Sequence, residues 1–163
     1  MKNAASPKII CELRGLKLHN FRFIEGGSLI LYIGRVSKDN LLELTPWRLH
    51  IDSTWRLHNR RKLLLSSENV RFNEIDAKLR RLITKAFKSI IGAKIEGVVV
   101  GDPILDLTFS FEGGSTFNCF LDSNQKELFE LRHEDGRRWL LENPFSLKQK
   151  KFASDNSTFR RRN

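Results

Sequence analysis

Positively charged side chains form three groups along the chain, and these groups are its best candidates for binding chemistry. They are Arg60, Arg61 and Lys62; Lys78, Arg81, Lys85 and Lys88; and Arg160, Arg161 and Arg162. Such cations can line a phosphate backbone or meet an acidic protein surface. For the second group, a solvated helix face is the simpler alternative.

The charge balance of the whole chain points in the same direction. The 29 Lys and Arg residues outnumber the 19 Asp and Glu residues, which gives a net charge of +10. A positive field of this kind speeds and strengthens encounters with negative surfaces, so it favours a nucleic acid or an acidic protein as partner. A basic protein without a specific site remains the alternative.

The sequence predicts no catalytic site, metal or cofactor. The histidines His19, His50, His58 and His133 are too far apart for HxH or HxxxH pairs. Asp102 and Asp106 are explained by a turn and by an outward-facing strand position. No GxxxxGK[ST] or GxGxxG phosphate-binding motif occurs. We therefore expect a binding protein and not an enzyme, with an enzyme acting on nucleic acid as a further alternative.

Cys11 and Cys119 are the two cysteines, and neither lies in a CxxC pattern typical of zinc sites. Cys119 falls in an apolar strand-like run, which favours a buried free thiol over a reactive one; a disulfide between the two stays open. Residues 1–8 read as a flexible lead-in without a secretory signal. No run approaches the roughly 18 apolar residues of a membrane span. We expect a cytoplasmic protein that does not associate with membranes.

Two segments of the chain, which must position the charged groups, have a similar order of sequence features. Residues 9–65 and 90–145 each carry a glycine after an apolar run, a later glycine pair and a tryptophan-containing stretch. Such self-similarity indicates a decayed internal repeat of strands and turns.

Alternation of apolar and polar residues locates the strands. The glycine pair 26–27 separates two apolar runs and predicts a hairpin. Residues 46–52 alternate, and residues 93–100, 104–111 and 115–121 are three further candidate strands. The pattern also predicts a strand over residues 9–18, a short helix or a strand over residues 124–132, and a closing strand over residues 137–141.

The best helix candidate spans residues 73–91, with Asn73 as N-cap and Gly92 at its end. An apolar stripe at helical spacing is predicted to face the core. It comprises Ile75, Leu79, Leu82, Ala86 and Ile90.

These elements predict an α+β fold in which two related antiparallel β units share one core, bridged by this amphipathic helix. The domain is expected to span residues 9–147, followed by a basic tail at 148–163. The residues expected to be largely buried are Trp47, Trp55, Leu107, Phe109, Phe111, Phe117 and Trp139.

The second half of the chain also resembles a known group of proteins. Residues 106–114 read Asp-Leu-Thr-Phe-Ser-Phe-Glu-Gly-Gly, and Trp139 follows. Over residues 80–145 the chain is similar to small bacterial αβ immunity proteins, which neutralise toxins such as those of contact-dependent growth inhibition. The resemblance implies a non-enzymatic protein of a bacterial conflict system that binds its cognate partner stoichiometrically. It implies no position-specific functional residues.

The charge of the chain departs from that group, because immunity proteins against basic nucleases tend to be acidic. The resemblance therefore implies a partner that is acidic at the interface, or one bound through apolar and backbone contacts, such as an added strand at a sheet edge. The alternative function is a nucleic-acid-binding accessory protein that relies on charge and shape.

Overall fold

A computed structural model of the chain describes residues 8–24, 28–35, 46–71, 76–101, 106–120, 127–142 and 146–151. Its helices are α1 (Lys8–Cys11), α2 (Ser67–Arg71) and α3 (Ala77–Phe87). Its strands are β1 (Leu18–Phe23), β2 (Leu29–Ile33), β3 (Trp47–Ile51), β4 (Thr54–Asn59), β5 (Lys62–Ser66), β6 (Ile95–Val100), β7 (Leu107–Phe111), β8 (Ser115–Phe120), β9 (Glu127–His133), β10 (Arg137–Glu142) and β11 (Ser146–Lys151).

The strands form two sheets in which every pair is antiparallel. The six-stranded sheet has the order β1-β2-β3-β9-β10-β11, and the five-stranded sheet has the order β5-β4-β8-β7-β6. The chain changes sheet between β3 and β4 and again between β8 and β9. The described part is thus mostly β, with short helices, and both predicted halves contribute strands to both sheets.

One hydrophobic core joins residues from both sheets and from the helices. The seven side chains predicted to be buried are all buried, with Trp139 the most accessible of them at 7%. Strands β2, β7 and β8 alternate between buried and half-buried positions, which is the pattern of a sheet with one face against a core. The predicted hairpin is confirmed, since β1 pairs with β2.

Helix α3 is shorter than the predicted helix over 73–91. Its N-cap is Asp76, whose carboxylate accepts a hydrogen bond from the Leu79 N–H at 2.7 Å. The chain leaves the helix after Phe87 and turns through residues 88–92. Leu82, predicted to face the core, is 44% exposed; Ile83 and Phe87 occupy the buried face instead. The predicted Asn73 cap lies outside the described residues.

The strand predicted over residues 9–18 is instead helix α1 and a set of turns that lead into β1. Gly15 ends these turns with φ +84°, a left-handed conformation that glycine adopts without steric cost. Ile10 and Leu13 are buried, so this segment contributes to the core.

The C-terminal strands extend further than the sequence predicts. Residues 127–133 form a strand, which resolves the open choice between helix and strand. Residues 148–151, predicted to begin the tail, pair with β10 as the end of β11. Residues 152–163 lie outside the described residues.

Cys11 is exposed, Cys119 is buried, and both are free thiols. Burial, aided by the negative charge of Asp106, raises the pKa of the Cys119 thiol far above its usual range. The predicted buried free thiol at Cys119 is confirmed.

Candidate functional site

The predicted helical group of cations lies on one exposed face of α3 and the turn after it. Lys78, Arg81, Lys85 and Lys88 are all exposed. At 100° per residue these positions fall within a narrow sector, away from the buried Ile83. The first three also border an open depression of about 590 Å³, together with Leu82 and with Asn69 of α2.

The consecutive cations occupy the tight turn between β4 and β5. Arg60 adopts φ 52°, and its N–H donates to the Gly114 carbonyl at 2.9 Å, which sets the turn beside the one between β7 and β8. Arg60, Arg61 and Lys62 are exposed. Strand β5 begins at Lys62 and contacts α3, so the third member of this group belongs to a strand that contacts the helix carrying the other group. Arg160, Arg161 and Arg162 lie outside the described residues.

A third cationic surface, absent from the sequence predictions, crosses the outer face of the six-stranded sheet. Arg48 on β3 is directly opposite Arg132 on β9, and Arg132 is directly opposite Arg138 on β10. We call these three residues the arginine row. In the strand register, Tyr32 of β2 precedes the row and Lys150 of β11 follows it.

The buried carboxylate of Glu130 orients two members of the arginine row. The Arg132 guanidinium approaches it through two nitrogens, with Nε and Nη2 each 2.7 Å from a carboxylate oxygen. The Arg138 Nε also pairs with it. Such a two-point arrangement fixes the plane of a guanidinium. Glu130 is only 6% exposed, so its charge is compensated chiefly by these arginines.

The arginine row has a surplus of positive charge. Two of its three guanidinium groups, those of Arg132 and Arg138, pair with the one carboxylate of Glu130, and like charges directly opposite on neighbouring strands repel each other. A bound anion would relieve that repulsion. The arrangement is therefore suited to binding carboxylates or phosphates on a partner, which guanidinium groups engage through paired hydrogen bonds.

From the sequence, the outward position of Arg48 could be predicted but its neighbours in the row could not. Arg48 stands at an outward position of an alternating strand, as predicted. Its proximity to Arg132 depends on the pairing of β3 with β9, two segments that are about 80 residues apart. No local pattern specifies that pairing.

Arg137, the first residue of β10 after the β9–β10 turn, lies against two aromatic rings. The Arg137 guanidinium carbon lies 5.4 Å from the Trp47 ring centroid and 5.5 Å from that of Trp139, within cation–π range. Its Nη1 is 3.1 Å from a Glu12 oxygen, which links this turn to the segment after α1.

Asp135 completes this turn. Slight desolvation raises the pKa of its carboxyl. The Arg137 backbone N–H and guanidinium, together with His133, outweigh that effect and lower the pKa to about 2. The Arg137 Nε lies 2.6 Å from Oδ2, and the His133 Nδ1 lies 2.9 Å from Oδ1.

Replacing Asp135 by asparagine is expected to lower the melting temperature at neutral pH. The folded-state pKa lies below the ordinary value, so the stabilisation is present above about pH 4 and is lost as the pH falls towards about 2. The difference between wild type and variant should shrink over that interval in thermal melts. Glu134→Gln, which changes the adjacent exposed carboxylate, is the matched control. A difference independent of pH would contradict the assignment.

Among the described residues, no three histidine, cysteine, aspartate or glutamate side chains come together as a possible metal site. Within the same part of the chain, no helix has the length and apolar character needed to cross a membrane. Comparison with protein-family models, curated proteins and solved structures finds no match to this chain.

Proposed function

We propose that this protein is a non-enzymatic binding protein of a bacterial conflict system, which neutralises a partner protein by stoichiometric binding in the manner of immunity proteins. The observation that carries the proposal is the arginine row, a cationic strip across three neighbouring strands of one sheet in which Arg48 and Arg132 are exposed. Arginine is enriched in the cores of protein–protein interfaces and among their dominant contacts. The row suits a partner with exposed carboxylates.

The decisive experiment measures binding to the product of the neighbouring gene by calorimetry. We expect a 1:1 complex, and we expect Arg48→Ala with Arg132→Ala to weaken it at least about 30-fold, which corresponds to about 2 kcal/mol. Arg81→Ala with Lys85→Ala makes the same change in net charge on α3 and serves as the matched control. Equal weakening by the two double variants would show that only net charge matters and would overturn the assignment to the row.

The alternative is a nucleic-acid-binding accessory protein. It is favoured by the cations of α3 and of the 60–62 turn, since Lys62 begins a strand that contacts α3. Anisotropy with labelled single- and double-stranded DNA and RNA should then show affinity falling by roughly 0.7–0.9 log units per log unit of salt for each phosphate neutralised. Replacing Arg60, Arg61 and Lys62 by alanine should reduce that slope. No binding at physiological salt would exclude this alternative.

We also propose that the protein works in the cytoplasm. Support comes from its two free thiols, because proteins of oxidising compartments commonly use their cysteines in disulfides.

The internal repeat remains a proposal, and backbone geometry supports it. Gly15 and Gly92 both have positive φ, at +84° and +79°. The Gly15 N–H donates to the Ile95 carbonyl, and the Gly92 N–H donates to the Leu18 carbonyl. The two bonds are equivalent, because a shift of 77 residues relates Gly15 to Gly92 and Leu18 to Ile95. When each strand is replaced by its equivalent in the other half, the order β1-β2-β3-β9-β10 becomes β6-β7-β8-β4-β5. That is the order of the five-stranded sheet counted from its other edge. Matched amide-exchange protection at Gly15 and Gly92 is expected, and unequal protection would count against the repeat.

A further inference from the structure

A groove of about 830 Å³ opens where the starts of β1 and β6 meet. One wall is the segment that precedes and begins β1, and the other is the turn before β6. The residues that line it include the cations Lys17, Arg35 and Lys94, together with His19. The described residues lining it include no carboxylate.

Lys17 and Lys94 lie directly opposite each other on two paired segments, and both line this groove. They form an isolated antiparallel bridge, flanked by hydrogen bonds from the Leu18 N–H to Ala93 and from the Ile95 N–H to Leu16. That pattern defines a non-hydrogen-bonded pair, the type in which opposite side chains are closest. Both lysines are exposed. Two like charges so placed repel each other, and an anion between them would reverse the sign of that interaction.

Gly15 and Gly92 also line the groove and are exposed. A Cβ built on Gly15 or on Gly92 would meet no atom within 4 Å, so space is available at both ends of the lysine pair. The Gly15 N–H donates to the Ile95 carbonyl, and the Gly92 N–H donates to the Leu18 carbonyl. These two reciprocal bonds place the lysine pair near a local two-fold axis.

The rest of the lining is apolar. Leu16 is half-buried, and Ile91 is 41% exposed. Pro46 packs tightly against Gly34, since a Cβ built on that glycine would come within 2.5 Å of the proline ring. Sites that bind small molecules combine such apolar walls with a few converging polar groups in a volume of about 300–1,000 Å³.

We propose that this groove is a binding site for a phosphate monoester dianion carried on an apolar group. The doubly charged phosphate would lie between the ammonium groups of Lys17 and Lys94, and the apolar group would contact Leu16 and Ile91. A dianion complements two neighbouring cations better than a monoanion does. This site is separate from the arginine row and does not depend on the function proposed above.

Phenyl phosphate is the probe, titrated into the full-length protein and followed by calorimetry and by amide chemical shifts. We expect it to bind about tenfold more tightly than inorganic phosphate or phenol, a difference of about 1.4 kcal/mol. The largest shifts should fall on the amides of Gly15, Lys17, Gly92 and Lys94. Comparable affinity for phenol, or no binding at about 10 mM, would overturn the proposal.

Variants test the two lysines directly. Lys17→Gln and Lys94→Gln are each expected to weaken phenyl phosphate at least about tenfold, while the charge-retaining Lys17→Arg should keep most of the affinity. Lys78→Gln, the same change on the exposed face of α3, is the matched control and should leave the affinity unchanged. Equal weakening by Lys78→Gln would show a general charge effect and refute a defined site.

Discussion

Replacing Phe87 by alanine is expected to lower the free energy of unfolding by about 3–5 kcal/mol, the range for large-to-alanine changes in a close-packed core. The side chain is completely buried. Its ring stacks on Phe21 with centroids 4.0 Å apart, and it meets Phe23 and Trp55 edge-on at 5.9 and 6.1 Å. It thus joins α3 to β1 of one sheet and to β4 of the other.

The truncation would leave a cavity among the rings of Phe21, Phe23 and Trp55. Denaturant unfolding followed by fluorescence would measure the loss. Leu82→Ala is the matched control, because Leu82 is 44% exposed on the same helix and its truncation should change stability by no more than about 0.5 kcal/mol. Similar losses in the two variants would contradict the burial of Phe87 between the sheets.

Replacing the two arginines that pair with Glu130 is expected to cost more stability than replacing Glu130 itself. Changing Arg132 and Arg138 together to methionine leaves a buried carboxylate without its partners, which costs about 3–5 kcal/mol in fully buried pairs. Here Arg132 is 60% exposed at its side chain and Arg138 is 22% exposed. Solvent screening therefore reduces the expected loss to about 2–3 kcal/mol.

Changing Glu130 alone to methionine should cost only about 1 kcal/mol, since the arginines can turn towards water. The triple methionine variant should regain most of the loss of the double variant, because apolar side chains of similar size can replace a buried ion pair at little net cost. Denaturation of the three variants gives the comparison. If the double variant were no less stable than Glu130→Met, the carboxylate would not depend on the arginines.

Local patterns in the sequence were sufficient for most elements. The alternation in residues 46–52 and 104–111 predicted β3 and β7, because successive side chains of a strand point to opposite faces. The glycine pair 26–27 predicted the β1–β2 hairpin. The same reasoning identified all seven core side chains and the cations of the 60–62 turn and of α3, which the structure places at the surface.

Helix boundaries were less well determined. The apolar positions of residues 73–91 fit more than one helical face, and packing of Ile83 and Phe87 against the sheets selected the face that leaves Leu82 exposed. The sequence placed residues 148–151 in a basic tail because they are polar. Their backbone groups nevertheless pair with β10, and backbone pairing needs no apolar side chain.

The sequence alone therefore determined which residues are apolar, which alternate, and where positive charge is concentrated. Only the tertiary structure decided which strands pair. The pairing of β3 with β9 assembles the arginine row, and the meeting of the β1 and β6 segments brings Lys17 opposite Lys94. Both sites join residues about 80 positions apart. Their partners are set by the burial of two sheet faces around one core, a property of the whole chain that no single segment encodes.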